Sequence, residues 1–132
     1  MRLPSNLSLH VVCLIALLLL LDTFAQIFFK IGVTQLGEFP TGSISNILHY
    51  SVQLAQNIFV ISGVVALIFA FFTWLILISK VDLSFAHPMT SLVYATIPLS
   101  ASLMLNEPLH WNQMIGISII VLGVFIVSDE AS

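Results

Sequence analysis

Apolar residues run along this chain in four long blocks, and polar residues collect in the gaps between them. A bilayer core takes about 20 apolar residues per helix, with about 17 tolerated. Four stretches reach that length: residues 9–29, 58–79, 83–105 and 111–127. The second carries no charge, and the fourth is the shortest. Backbone groups in lipid must be satisfied within the segment itself, so these stretches are expected to be helices. The expected fold is an all-α membrane protein with four transmembrane helices, a single membrane domain over residues 1–132. Four helices of this size enclose little volume, so a substrate pathway is expected between two such chains, functional as a dimer.

The connections fix the arrangement. Lys80-Val81-Asp82 joins the second and third spans, and Asn106 to His110 joins the third and fourth. Both pairs must therefore be antiparallel hairpins. The first connection, residues 34–57, is longer. Gly37, Pro40 and Gly42 break the helix there, and Ile44, Ile47, Leu48 and Val52 then recur at roughly helical spacing. Either an interfacial amphipathic helix or a loosely ordered loop suits that stretch. An even number of spans puts both termini on one side. Arg2 and Lys80 share that side and Lys30 lies opposite, which favours cytoplasmic termini by two charges to one.

Composition narrows the class. Of 132 residues, 59% are hydrophobic and only 7% charged; a soluble domain carries about 25% charged residues. A net charge of −3, with scattered carriers, gives no basis for nucleic-acid binding. Asp129 and Glu130 read as a solvated C-terminal tail. The lone cysteine, Cys13, excludes a disulfide framework and reads as a buried, inert thiol. Thr23-Phe24-Ala25 loosely imitates a leader cleavage site, but Ile27, Phe28 and Phe29 continue the apolar run, so the first block is read as a retained span.

Asp22 is the exception within the first span. Ionised side chains inside a membrane are costly, and by default they mark a functional site facing a water-filled cavity or a partner helix. Asp22, Gln26 and Lys30 follow steps of four, which places them on one stripe of a helix. Gln26 could orient the carboxylate. Asp22 and Lys30 are about 12 Å apart in helix rise, too far for direct pairing on one helix; a structural pairing would need Gln26 as a relay. The third span is the most polar. His87, Ser91, Tyr94, Pro98 and Ser102 follow steps of four, three, four and four, so they share a face of a continuous helix. His87 can donate, accept or titrate, or serve as an ordinary hydrogen-bonded residue near the interface. The serines serve helix packing as readily as a pathway. Pro88 stands near the helix start, where proline fits; Pro98 is central and expected to kink the helix. In the fourth span Gly116 and Gly123 lie seven apart on one face, which suits helix association within or between chains. Phe69, Phe71, Phe72 and Trp74 of the second span read as lipid-facing or packing residues. There is no metal-ligand cluster, nucleophile–base spacing or phosphate loop, so neither catalysis nor a cofactor is expected.

These features resemble the four-helix small members of the drug/metabolite transporter superfamily, over nearly all of the chain except residues 34–57. Two branches match in different places. The small multidrug resistance family has an essential first-helix carboxylate eight residues before a lysine, as Asp22 stands to Lys30, and a fourth-helix glycine pair spaced by seven, as in Gly116 and Gly123. That resemblance implies an antiparallel dimer exchanging protons for hydrophobic cations at the carboxylate. The family's third-helix Tyr and Trp correspond to His87 and Thr90, so its aromatic cage is absent from that helix. The EamA-like group, which includes the flippase subunits for undecaprenyl-phosphate aminoarabinose, is similar through residues 81–89 and Asn106-Glu107-Pro108-Leu109. Its typical Ala-Tyr-Pro stands here as Ala86-His87-Pro88.

The expectation is an inner-membrane transporter, not an enzyme, working as a homodimer or as a heterodimer with a similar subunit. Its proton- and substrate-binding residues would be Asp22, Gln26, His87, Ser91 and Tyr94, with Gly116 and Gly123 packing the dimer. Membrane lipid and an amphipathic substrate, such as a polyprenyl-phosphate-linked sugar, are the expected partners. Multidrug efflux by proton antiport is one alternative. A non-transporting subunit of a larger complex is another.

Overall fold

The computed structural model describes residues 5–130, so Arg2 and its part in orienting the chain lie outside the described residues. Six helices follow in order: α1 Ser5–Leu36, α2 Ile44–Gln56, α3 Ile58–Ile78, α4 Leu83–Thr90, α5 Val93–Leu105 and α6 Trp111–Glu130. They supply four crossings, Leu9–Leu36, Ile58–Ile78, Leu83–Leu105 and Trp111–Asp129. No strand occurs among the described residues.

α1 and α3 form the most closely packed pair, and small residues explain why. Lipid tails are as apolar as leucine, so helices associate in a membrane chiefly where their backbones can approach closely. Ala25, Gly63, Ala66 and Ala70 are all buried. At Gly63 an added Cβ would lie 2.6 Å from the Phe29 ring and 3.1 Å from the Ala25 carbonyl, so this contact needs glycine. Phe28 and Phe59 extend the joint, with ring centroids 5.5 Å apart. Below it, Val11, Ile15 and Leu18 meet Ala70, Leu77, Ala86 and Met89 in the core, where α4 joins.

The long first connection is helical. α1 ends at Gly37, whose φ of 84° suits a residue without a side chain. Ser43 then caps α2, accepting from the Asn46 amide at 3.3 Å. One side of α2 rests on the bundle through Tyr50, which is buried, donates to the Gly37 carbonyl at 3.1 Å and meets Phe39 edge-on. Ile44, Leu48 and Val52, stepping by four, form an exposed apolar stripe, the arrangement of a helix lying in a membrane interface. Asn57 closes the junction. Its side-chain Oδ1 accepts from the Phe59 and Val60 backbone amides, and its side-chain Nδ2 donates to Gln35 Oε1 at 3.2 Å.

The third crossing departs from the expected single rod. It breaks at Ser91-Leu92, three residues beyond Pro88, into α4 and α5. Pro88 is the sixth residue of α4, not a first-turn residue. Its missing N–H leaves the Ser84 carbonyl without the usual donor, and the chain tightens into i→i−3 bonds such as Ser91 N to Pro88 O at 3.1 Å. Pro98 lies within α5, and no break falls there. Ser91 and Tyr94 therefore belong to a different segment of the crossing from His87. Two further expectations are corrected. Cys13 is exposed, on a side of α1 away from the core. Asp129 and Glu130 belong to the last turn of α6 and not to a tail.

Candidate transport site

Asp22 lies midway along the first crossing and is half-buried. It borders a cavity of about 310 Å³ between α1, α3 and α4. Leu18, Leu67 and Ala70 give the cavity an apolar lining, and Phe71 and Trp74 add aromatic rings from α3. His87 and Thr90 close it from α4. The Trp74 and His87 rings meet edge-on, with centroids 5.7 Å apart. Thr90 donates its hydroxyl to the His87 carbonyl at 2.8 Å, which fixes its rotamer on this wall.

Charge balance makes this cavity unusual. The described residues hold two ammonium groups, Lys30 and Lys80. Lys80 follows α3 in the turn at the edge of its span. Lys30 is engaged elsewhere: its Nζ lies 3.3 Å from Glu107 Oε1, which ties the end of α1 to the α5–α6 loop. Among the described residues no hydrogen bond or ion pair reaches the Asp22 carboxylate. An unpaired carboxylate within a membrane span calls for a proton, a cation or a group from another molecule to neutralise it. The arrangement can thus exchange a proton or bind a cation beside aromatic surface.

Of the expected site residues, the structure brings Asp22 and His87 onto one cavity. Gln26 is exposed, and Tyr94 is 66% exposed on α5; neither lines the cavity. Ser91 also lies off it, its hydroxyl donating to the Pro88 carbonyl at the helix break. The break separates these residues from His87. Next to Asp22, Thr23 instead reaches α5, its hydroxyl oxygen 2.8 Å from that of Thr96. Gly116 and Gly123 meet nothing within 4 Å of an added Cβ, so their face packs against no part of this chain.

Trp74 and Phe71 were expected to face lipid or pack; Trp74 packs against the core and Phe71 is exposed, and both also line the cavity beside Asp22. A sequence signal for this existed. Gly63, Ala66 and Ala70 mark the side of α3 that meets α1, and Trp74 stands one turn beyond Ala70. The aromatic rings missing from the third crossing are supplied on this wall by the second.

The profile of the EamA-like transporter family matches residues 2–129. A probable 4-amino-4-deoxy-L-arabinose-phosphoundecaprenol flippase subunit ArnF of Proteus mirabilis is 32% identical over 117 residues, which cover 84% of this chain and 86% of that protein. An ArnF of the same description from Shewanella sediminis is 34% identical over 80 residues, 59% of this chain and 55% of that one. A probable ArnE flippase subunit of Pseudomonas syringae is 31% identical over 58 residues, 44% of this chain and 54% of its own length. No solved structure matches the chain. With four apolar crossings and this similarity over nearly its whole length, the chain is a multi-pass inner-membrane protein and belongs to the EamA-like transporter family.

Proposed function

We propose that this chain is one subunit of a small inner-membrane transporter that moves a polyprenyl-phosphate-linked sugar across the bilayer, with Asp22 at the centre of the pathway. The observation that carries this reading is a partnerless carboxylate, midway along a crossing, bordering a cavity large enough for a headgroup. Similarity to flippase subunits over most of the chain supports the lipid-linked substrate. Proton exchange at Asp22 drives or gates the cycle, and rocking of helices exposes the site to each membrane face in turn. A second chain completes the pathway. The relatives fall into two kinds of subunit, ArnE and ArnF, which favours a similar but non-identical partner. Gly116 and Gly123 on α6 are the association face, since they are open to close backbone approach and unused within the chain.

One observation favours a second reading, proton-coupled efflux of hydrophobic cations: the Trp74 and Phe71 rings lie beside a carboxylate, and ring faces attract cations. Proteoliposomes separate the readings. The protein, alone and with a co-expressed homologous subunit, is offered a polyprenyl-phosphate-linked sugar or a hydrophobic cation under a proton gradient. Translocation of the lipid-linked sugar, lost in Asp22→Asn, is expected. Efflux of the cation alone selects the second reading. Neither activity, with no proton release on adding substrate, means a non-transporting subunit.

A further inference from the structure

We infer that the Asp22 cavity is the seat of an amine-bearing sugar ring, with Asp22 as counter-ion to the ammonium and Trp74 as the platform under the ring; the inference rests on the lipid-linked sugar reading and names which end of that substrate enters. The chemistry of the walls makes the selection. A neutral sugar needs many hydrogen-bonding groups, and this cavity supplies few: the Asp22 carboxylate, the His87 ring and the Thr90 hydroxyl. A phosphodiester needs cations, and neither lysine lines the cavity. An ammonium finds what it needs, a carboxylate with no competing partner among the described residues and an indole on the same wall. Burying that carboxylate beside a neutral ring would leave it uncompensated, so the cavity discriminates against a hydroxyl in place of the amine. Its volume, about 310 Å³, is at the small end of ligand sites. It fits one ring and not a polyprenyl tail.

Trp74 plays two roles at once. Its face is flat and apolar, suited to the C–H face of a pyranose, and it attracts the positive charge. The edge-on contact with His87 holds the indole in place. Trp74 is therefore a specificity-determining residue on the second crossing, a different helix from the one expected to carry aromatic groups.

The test uses the full chain in lipid nanodiscs with Trp111→Phe, which leaves Trp74 as the sole tryptophan reporter. The probes are methyl 4-amino-4-deoxy-arabinoside, methyl arabinoside and tetraphenylphosphonium. The amine should change Trp74 emission saturably and bind at least about 10-fold more tightly than the hydroxyl analogue. Asp22→Asn should bring the two sugars to within about twofold. By calorimetry on the protein with Trp111 intact, Trp74→Leu should weaken amine binding about 3- to 30-fold, and Trp74→Phe should restore most of it, as loss of a ring face predicts. Equal affinity for the two sugars in the unmutated protein overturns the inference and needs no folded variant. So does unchanged selectivity in Asp22→Asn, or tighter binding of tetraphenylphosphonium than of the amine. If selectivity for the amine persists while vesicles move no lipid-linked sugar, the headgroup site stands and the flippase reading falls.

Discussion

The first two crossings and the last two solve the same problem differently. In α1 and α3, 33% and 28% of the most apolar window is buried inside the chain; in the third and fourth crossings the figures are 11% and 6%. Hydropathy alone hides this, because all four are apolar enough to span. The difference is in small residues. α3 sets Gly63, Ala66 and Ala70 against α1, whereas α6 has Val124 as its buried side chain and leaves its glycines open. Without a hydrophobic force between helices in lipid, a loosely packed crossing faces either lipid tails or another protein. The Asp22 cavity lies on the seam, with two walls from the tight pair and one from α4 of the loose half.

Four substitutions probe that contrast. The largest effect is expected at the seam. Asp22→Asn should reduce transport at least about 30-fold, the cost of losing one partner of a desolvated charge pair. It should leave thermal stability unchanged or slightly raised, because it removes an unpaired charge from an apolar setting. A parallel loss of stability and transport would mean that Asp22 is structural. Next, Gly63→Leu should cost about 1–3 kcal/mol or more through overpacking against the Ala25 backbone, read as a lower melting temperature in detergent. Thr96→Val removes the hydroxyl contact that links α5 to α1. Polar contacts between membrane helices average about 0.6 kcal/mol, so a chemical-denaturation midpoint should move only slightly. The smallest effect on the single chain belongs to Gly123→Leu, within about 0.5 kcal/mol, although it should lower the cross-linked dimer fraction in membranes. If Gly123→Leu unfolds the chain as readily as Gly63→Leu, the contrast between the two halves is wrong.

Much of the architecture was legible because the bilayer imposes it. The four crossings, the two hairpins and the oddity of Asp22 follow from the lengths of apolar blocks and the position of a single acid. The helix in the long connection was half-legible: Ile44, Leu48 and Val52 gave the period, but choosing helix over loop required Tyr50 to dock on the Gly37 carbonyl, a contact no local pattern encodes. The third crossing was found as a span over residues 83–105, but its polar face was traced along an unbroken helix. At Ser91-Leu92 the chain tightens into i→i−3 bonds, and neither Ser91 nor Tyr94 lines the cavity that His87 borders. Trp74 was missed for the opposite reason. Its helix is uniformly apolar, so hydrophobic periodicity gives no direction, and the small residues Gly63, Ala66 and Ala70 are the guide to the side that meets α1.

The interruption of the third crossing has a mechanical consequence. One end is held by the α1–α5 hydroxyl contact and the Lys30–Glu107 clamp. The other end, bearing His87 and Thr90, is joined to the first through Ser91 and Leu92, whose amides bond to Pro88 and Met89 in the tighter i→i−3 pattern. Ala86 and Met89 anchor that end in the same core as Val11, Leu18 and Ala70 of the tight pair. The wall facing Asp22 is thus coupled to the tight pair, and any displacement of it must be shared with α1 and α3.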